Sequence, residues 1–406
     1  MNGGPKGDAM KHILIKIIFS IVSLVALVFI GRGIFSSNPE SFVKNLLAQA
    51  DITVNGDMSS DMVVHNPGLY ARVIGQGSLG LGESYMDGWW DSPQLDEFFF
   101  KLFSSDVQHK VPHSFNTVFA YLKSKIMNLQ SKDRAFQVGQ QHYDLGDDLF
   151  KAMLDSRMVY SCAYWKNAKN LEEAQEHKLD LICRKLQLKP GMKVLDIGCG
   201  WGGLALYAAQ KYGVSVVGVT ISQEQAKYAR GICHNAPVEI RLQDYRDLNE
   251  QFDAIVSVGM FEHVGYKNYQ TFMDIAHKLL KDHGLFLLHT IGSNQSWTTG
   301  DEWINKYIFT NGMLPSITQI GKTIEGKFVM EDWHNFGADY DRTLMAWYQN
   351  FEQNWPQLQP TYGDRFKRMW DYYLLSCAGL FRARGIQLWQ IVLSKNGIIG
   401  GYESVR

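Results

Sequence analysis

The chain has 406 residues, with 40 basic and 41 acidic side chains and a formal net charge of -1. That balance removes the usual electrostatic ground for nucleic-acid binding and makes any membrane attraction local or apolar. The five cysteines, Cys162, Cys183, Cys199, Cys233 and Cys377, form no C-x-x-C pair, and no H-E-x-x-H run is present. The sequence therefore predicts neither a disulfide framework nor a metal site, and the thiols read as those of a cytoplasmic protein.

In chain order, residues 1–35 contain an apolar run over 13–30 that is broken only by Lys16, Ser20 and Ser23. As a helix it would reach about 27 Å, barely a bilayer core. It reads as a membrane anchor or surface-lying helix, with a cleaved signal or a buried helix as alternatives. Residues 36–130 read as a small, mainly helical accessory lobe, with a turn-rich insertion around Gly75 to Gly82. In this lobe Gly88-Trp89-Trp90 and Phe98-Phe99-Phe100 are expected to pack against a larger domain, lipid contact being the alternative. Ser131-Lys132-Asp133-Arg134 marks a polar boundary.

From 131 to 406 the pattern alternates as a doubly wound α/β fold should. Strands are predicted over 193–197, 214–219, 238–242, 252–258, 284–289, 328–333 and 386–394, and helices over 223–233 and 269–280. Residues 293–327 interrupt the alternation and read as a cap over the strand ends.

The first predicted strand runs into a glycine turn, Asp196-Ile197-Gly198-Cys199-Gly200-Trp201-Gly202-Gly203. Gly198, Gly200 and Gly203 satisfy the dinucleotide pattern G-x-G-x-x-G. However, Asp196 puts a negative charge beside the turn, and the second strand ends at Thr220 without a ribose-binding acid. A carboxylate repels a pyrophosphate and suits an amine. The turn is therefore assigned to S-adenosylmethionine (SAM), which carries an ammonium and a sulfonium; a purely structural turn is the alternative. Ligands in such folds bind beyond the carboxyl ends of the strands. Two further ends deliver Glu262 and His289, which should face the same pocket unless they are an ordinary solvated Glu and a satisfied core His.

Four longer motifs, Gln141-His142-Tyr143-Asp144-Leu145-Gly146, Tyr160-Ser161-Cys162-Ala163-Tyr164-Trp165, Val258-Gly259-Met260-Phe261-Glu262-His263-Val264-Gly265 and Phe336-Gly337-Ala338-Asp339-Tyr340, stand in this order. Together they resemble the cyclopropane-fatty-acyl-phospholipid synthase family, from roughly Phe42 to the C-terminus. Gly80-Leu81-Gly82-Glu83-Ser84-Tyr85-Met86-Asp87-Gly88-Trp89-Trp90 places the chain nearer the bacterial phospholipid enzymes than the mycolic acid branch. The resemblance implies methyl transfer from SAM to a cis double bond of an unsaturated phospholipid acyl chain at a bilayer surface. Loss of a proton from a carbocation then closes the ring. A lipid methyltransferase that stops at a methyl or methylene product is the runner-up.

The family base is bicarbonate, and the positions resembling its ligands are Cys162, Glu262, His289 and Tyr340 with the backbone at Ile291; Glu331 would support them. Positions resembling the SAM ligands are Tyr160, Ser161, Asp196, Gly198, Cys199, Gly200, Thr220, Ile221, Ser222, Gln223, Glu224, Gln225, Asp244, Tyr245 and Arg246. Gln225 is expected to replace the missing ribose acid. The resemblance also marks Cys377, although alkene methylation needs no covalent thiol and residues 373–378 read as a helix in which a cysteine packs. A homodimer, cytoplasmic and either peripheral on or anchored to the inner membrane, is implied as well. Lysines ahead of the apolar run favour an inward N-terminus, which for a true span would strand the catalytic part away from cytosolic SAM; a surface-lying helix avoids that conflict.

Overall fold

The computed structural model describes residues 38–105 and 146–406. The apolar run of residues 1–35, the boundary at 131–134 and residues 141–145 of the first motif lie outside them.

The first described part comprises α1 (Pro39–Ala48), β1 (Val63–Val64), α2 (Gly68–Met86), β2 (Trp90–Asp91) and α3 (Leu95–Ser104). Residues 75–82, read as a turn-rich insertion, are instead helical within α2, with one break at Gly77 (φ 57°). Helix propensity alone disfavours so many glycines, and tertiary approach overrides it: a Cβ at Gly82 would collide with the Trp303 indole. Trp90, Phe98 and Phe99 are fully buried in one cluster with Trp303, Trp347 and Trp370, so these residues pack against the larger domain.

The second part runs α4 (Asp147–Met153), α5 (Leu171–Lys185), β3 (Lys193–Ile197), α6 (Gly203–Tyr212), β4 (Ser215–Thr220), α7 (Gln223–Cys233), β5 (Val238–Leu242), β6 (Phe252–Val258), α8 (Tyr269–Leu279) and β7 (Leu280–Ser293). It continues through α9 (Glu302–Tyr307), α10 (Ile317–Ile324), β8 (Val329–Asn335), α11 (Ala338–Arg382) and β9 (Ile386–Ser394). All seven predicted strands form one sheet in the order β5-β4-β3-β6-β7-β9-β8. The five from β5 to β7 are parallel, whereas β9 runs antiparallel to both β7 and β8. Alternation along β3 explains its burial on both faces. Val194 packs with Leu179 and Ile182 of α5 and Ala205 of α6, while Leu195 and Ile197 turn to the opposite face with Phe272 and Leu279 of α8.

The chain leaves β3 toward β4 and β5 on one side, and β6 and β7 lie on the other. The glycine turn after β3 therefore sits where the winding reverses, the place at which such sheets open a crevice. Of the 45-residue α11 the sequence predicts only 373–378; it contains Pro356 and Pro360 and breaks at Gly363 (φ 72°).

Candidate active site

Gly198, Gly200 and Gly202 all have positive φ (83°, 54° and 86°), a conformation that L side chains rarely adopt. At Gly198 a Cβ would lie 2.6 Å from Met260 Cγ, but at Gly200 it would meet nothing within 4 Å. Gly200 thus borders open space, a cleft of about 210 Å³. Tyr160, Ser161, Asp196, Gly198, Cys199, Gly200, Thr220, Ile221, Ser222, Gln225, Asp244, Tyr245 and Arg246 all line this cleft. Gln223 and Glu224 do not: they occupy the first turn of α7 with exposed side chains, and helical rotation brings only Gln225 inward.

Asp196 is buried, and its Oδ2 has no hydrogen-bond partner. Burial pushes its carboxyl up to about 7, with the Lys178 ammonium opposing the shift. Such an orphaned acceptor fits the ammonium of SAM. Gln225 is fixed by Thr220, whose Oγ1 donates to its Oε1 at 3.0 Å, and Ser222 caps α7. Asp244 is neutralised by Arg246, which donates from Nε at 2.8 Å and from Nη2 at 2.6 Å.

Sequence reasoning found Tyr160 and Ser161 but missed Met158 and Val159, which line the cleft beside them, and Lys178 on the helix behind. Asp155 accepts from Val159 N at 2.9 Å and Arg157 N at 3.1 Å, bracketing Met158, which holds φ 58°. From α5, Gln175 Nε2 donates to the carbonyls of Val159 (3.2 Å) and Ser161 (2.9 Å). The capping stretch adds Thr310 and Asn311 to the cleft, and Met260 and His263 close its far side. A helical lysine or glutamine gives no sequence signal for such a role; only the sheet order brings them there.

The second group lies on the two strands beyond β3. The last residue of β6, Val258, is paired with His289 on β7, and Glu262 follows on the turn Phe261–His263. Glu262 Oε1 accepts from Ile291 N at 2.7 Å, while Oε2 is buried without a partner. Burial raises this carboxyl to about 7 against the pull of the Ile291 N–H. The Gln390 amide nitrogen donates to His289 Nδ1 at 3.2 Å, which leaves Nε2 to carry the proton of the neutral ring. That Nε2 is also buried without a partner. Burial first, then the charges of Lys178 and Lys185, hold His289 well below its ordinary value.

Tyr340, at the start of α11, is buried, and its hydroxyl is raised well above its ordinary range by burial and then by Cys162, Tyr160 and Glu262 nearby. Cys162 is fully buried, its Sγ 3.2 Å from Ala163 O, and burial pushes the thiol far up. The structure thus gathers Cys162, Glu262, His289 and Tyr340. The Ile291 N–H is not left for an anion, because Glu262 occupies it. Glu331 is not gathered: its Oε1 accepts from Ser394 Oγ (2.5 Å) and Ile398 N (2.9 Å). Ser394 faces Leu285, four residues down β7 from His289, or about 13 Å along the strand. The irregular register between Met330 and Asp332 turns it toward the chain after β9. Cys377 packs half-buried on α11, raised by burial to about 12.

An aromatic wall joins the two groups. Tyr160 lines the cleft, its hydroxyl 2.7 Å from that of Tyr373 and its ring centroid 5.2 Å from Trp347. Tyr340 lies 5.9 Å from Trp347 and 4.6 Å from Phe381. Among the described residues no helix is long and apolar enough to cross a membrane.

The mycolic acid cyclopropane synthetase family matches residues 130–391. The cyclopropane-fatty-acyl-phospholipid synthase of Escherichia coli K12 is 59% identical over 361 residues, covering 89% of this chain and 94% of its own length. The solved mycolic acid cyclopropane synthase CmaA1, complexed with SAH and CTAB, superposes with a TM-score of 0.59 at 34% identity, over 64% of this chain and 98% of that one. Coclaurine N-methyltransferase bound to N-methylheliamine and SAH shares the fold, with a TM-score of 0.65 at 21% identity over 78% of this chain. The higher identity to the phospholipid enzyme agrees with the ranking drawn from the N-terminal motif. With one relative matched almost end to end and the family domain spanning most of the second part, the chain belongs to the cyclopropane-fatty-acyl-phospholipid synthase family of SAM-dependent methyltransferases.

Proposed function

We propose that this protein moves the methyl carbon of SAM onto the cis double bond of a phospholipid acyl chain and closes a cyclopropane ring, with bicarbonate as the base. The observation that carries the base site is the pair of orphaned buried atoms, Glu262 Oε2 and His289 Nε2, on neighbouring strand ends beside the glycine cleft. When bound, SAM supplies an electrophilic methyl on a cationic sulfur, and bicarbonate supplies the acceptor for the last proton.

The protein's own groups meet three demands. Asp196, Gln225 and the glycine turn hold and orient the donor. Tyr160, Trp347 and Tyr340 present aromatic faces that stabilise positive charge in a site shielded from water. Glu262, near 7, can hold a proton on Oε2, and neutral His289 offers Nε2–H, so both can donate to a small anion. Burial keeps the Cys162 and Cys377 thiols and the Tyr340 hydroxyl protonated. No thiolate or phenolate therefore stands ready to trap a carbocation, which favours a separate base.

Lipid in a bilayer is the substrate in this reading, and residues 1–35 strengthen recruitment to the inner membrane; a homodimer completes the proposal. Mass spectrometry of membrane fatty acids after expression tests it. Gain of a CH₂ with a ring is expected; gain without a ring would reassign the chain to methyl or methylene transfer, and no gain would refute it.

A further inference from the structure

We infer that Lys178 binds the carboxylate of the SAM methionine group, together with the Ser161 hydroxyl and opposite Asp196, which takes the ammonium. The inference rests on the reading of the cleft as the SAM site.

Lys178 projects from α5 with 1% of its surface exposed and lines the cleft together with Ser161 and Asp196. Its Nζ donates to Ser161 Oγ at 2.8 Å, and among the described residues it forms no ion pair within 4 Å. An ammonium has three donors, and burying one against a single hydroxyl is unfavourable unless something else completes its shell. The nearby Asp155 does not do so, because its two oxygens accept from the backbone of Val159 and Arg157. Asp196 is incomplete in the opposite sense, with Oδ2 buried and unpartnered. One cleft wall therefore presents a buried cation and a buried anion that do not satisfy each other. An amino acid zwitterion complements both.

Ser161 is placed for the task twice over. Gln175, three residues before Lys178 on the same face of α5, holds the Ser161 carbonyl at 2.9 Å while Lys178 holds its hydroxyl. A lysine whose role was only to balance Asp155 or Asp196 would pair with one of them directly.

Calorimetry with SAM and with its decarboxylated analogue, which keeps the sulfonium and the amine, tests the assignment. Wild-type protein should bind SAM about 10- to 100-fold more tightly than the analogue, the range expected for hydrogen bonds to a charged group. Lys178→Met should lose that preference, with SAM weakened to near the analogue's affinity and the analogue bound no more weakly than by wild type. Lys178→Arg should recover part of the preference. Equal loss of both ligands would make Lys178 a purely structural residue, and a SAM preference that survives in Lys178→Met would place the carboxylate elsewhere; either result overturns the inference. Should Lys178→Met fail to fold, Lys178→Gln takes its place, and equal affinity of wild type for the two ligands refutes the assignment by itself. Wild-type protein that bound neither ligand would instead remove the SAM reading.

Discussion

Glu262→Gln keeps the shape of the side chain and lets Oε1 continue to accept from Ile291 N, while removing the charge and the titratable proton at Oε2. In the folded protein burial raises this carboxyl from 4.5 to about 7. At about 1.4 kcal/mol per pH unit, keeping it ionised costs the native state about 3 kcal/mol. The sign follows from proton uptake: between these values the folded state binds the proton and the unfolded state does not. Wild-type stability should therefore fall as pH rises from 4.5 through 7 and then level. The glutamine variant lacks this contribution, so its stability relative to wild type should improve by about 3 kcal/mol across the same window, read from urea unfolding at several pH values. Turnover should drop roughly 10²-fold or more, the scale of a disabled positioned acid or base, with SAM affinity nearly unchanged. Added bicarbonate should restore part of the rate if weakened anion binding is the defect. A stability difference that is flat with pH would show that the carboxyl is not held in an apolar site. Normal turnover would remove it from the base site, and lost SAM binding would move it to donor recognition.

Gly200→Val should raise the SAM dissociation constant at least 100-fold in calorimetry, because its side chain enters the cleft, while backbone strain at φ 54° costs about 1–3 kcal/mol in melting. Gly75→Ala, with nothing within 4 Å of the new methyl, should stabilise α2 by about 0.5–1 kcal/mol; Gly82→Ala, facing Trp303, should destabilise by more than that in the same urea titration. Against burial, which pushes its carboxyl up, Glu83 accepts from Lys306 (2.5 Å), Arg72 (2.6 Å) and Tyr307 (2.9 Å), which together bring it down to about 2. Glu83→Gln should cost about 1–2 kcal/mol at pH 7 after discounting solvent at the rim, and the loss should shrink as pH falls from 4.5 toward 2, where the wild-type carboxylate is itself protonated. Deleting residues 1–35 should leave a folded, SAM-binding protein that remains active on detergent-dispersed lipid, with only vesicle recruitment weakened; loss of activity on dispersed lipid would place that segment in the active site.

The sheet was legible because apolar runs between turn residues carry a strong local signal, and β3, β6 and β7 end in chemically rich residues. Local signals misled where packing decides. Pro356 and Pro360 look like breakers, yet they lie within α11, which is held by its core contacts, and only Gly363 interrupts it. The glycines of α2 look like a loop, yet the segment is helical apart from Gly77, and Gly82 permits close approach to Trp303. Gln223 and Glu224 belong to a contiguous motif that helical rotation splits, so only Gln225 turns inward. Glu331 failed because an irregular register redirects a side chain without any mark in the sequence. The buried face of α5 was invisible, since Lys178 and Gln175 look like solvent-facing residues until sheet order puts the 155–161 wall against them.

The shared family domain begins at residue 130, yet α11 within it is shaped for α3: a Cβ at Gly379 would stand 2.7 Å from Phe100 N. Trp90, Phe98 and Phe99 belong to the same buried cluster as Tyr340 and Trp347. The N-terminal lobe is thus no detachable module. Trimming the chain to the family domain would strip the outer face of the helix that carries Tyr340, yielding an aggregation-prone fragment rather than a minimal enzyme, and grafting this lobe onto another catalytic domain would require the recipient's helix to be recut with a glycine at the matching place.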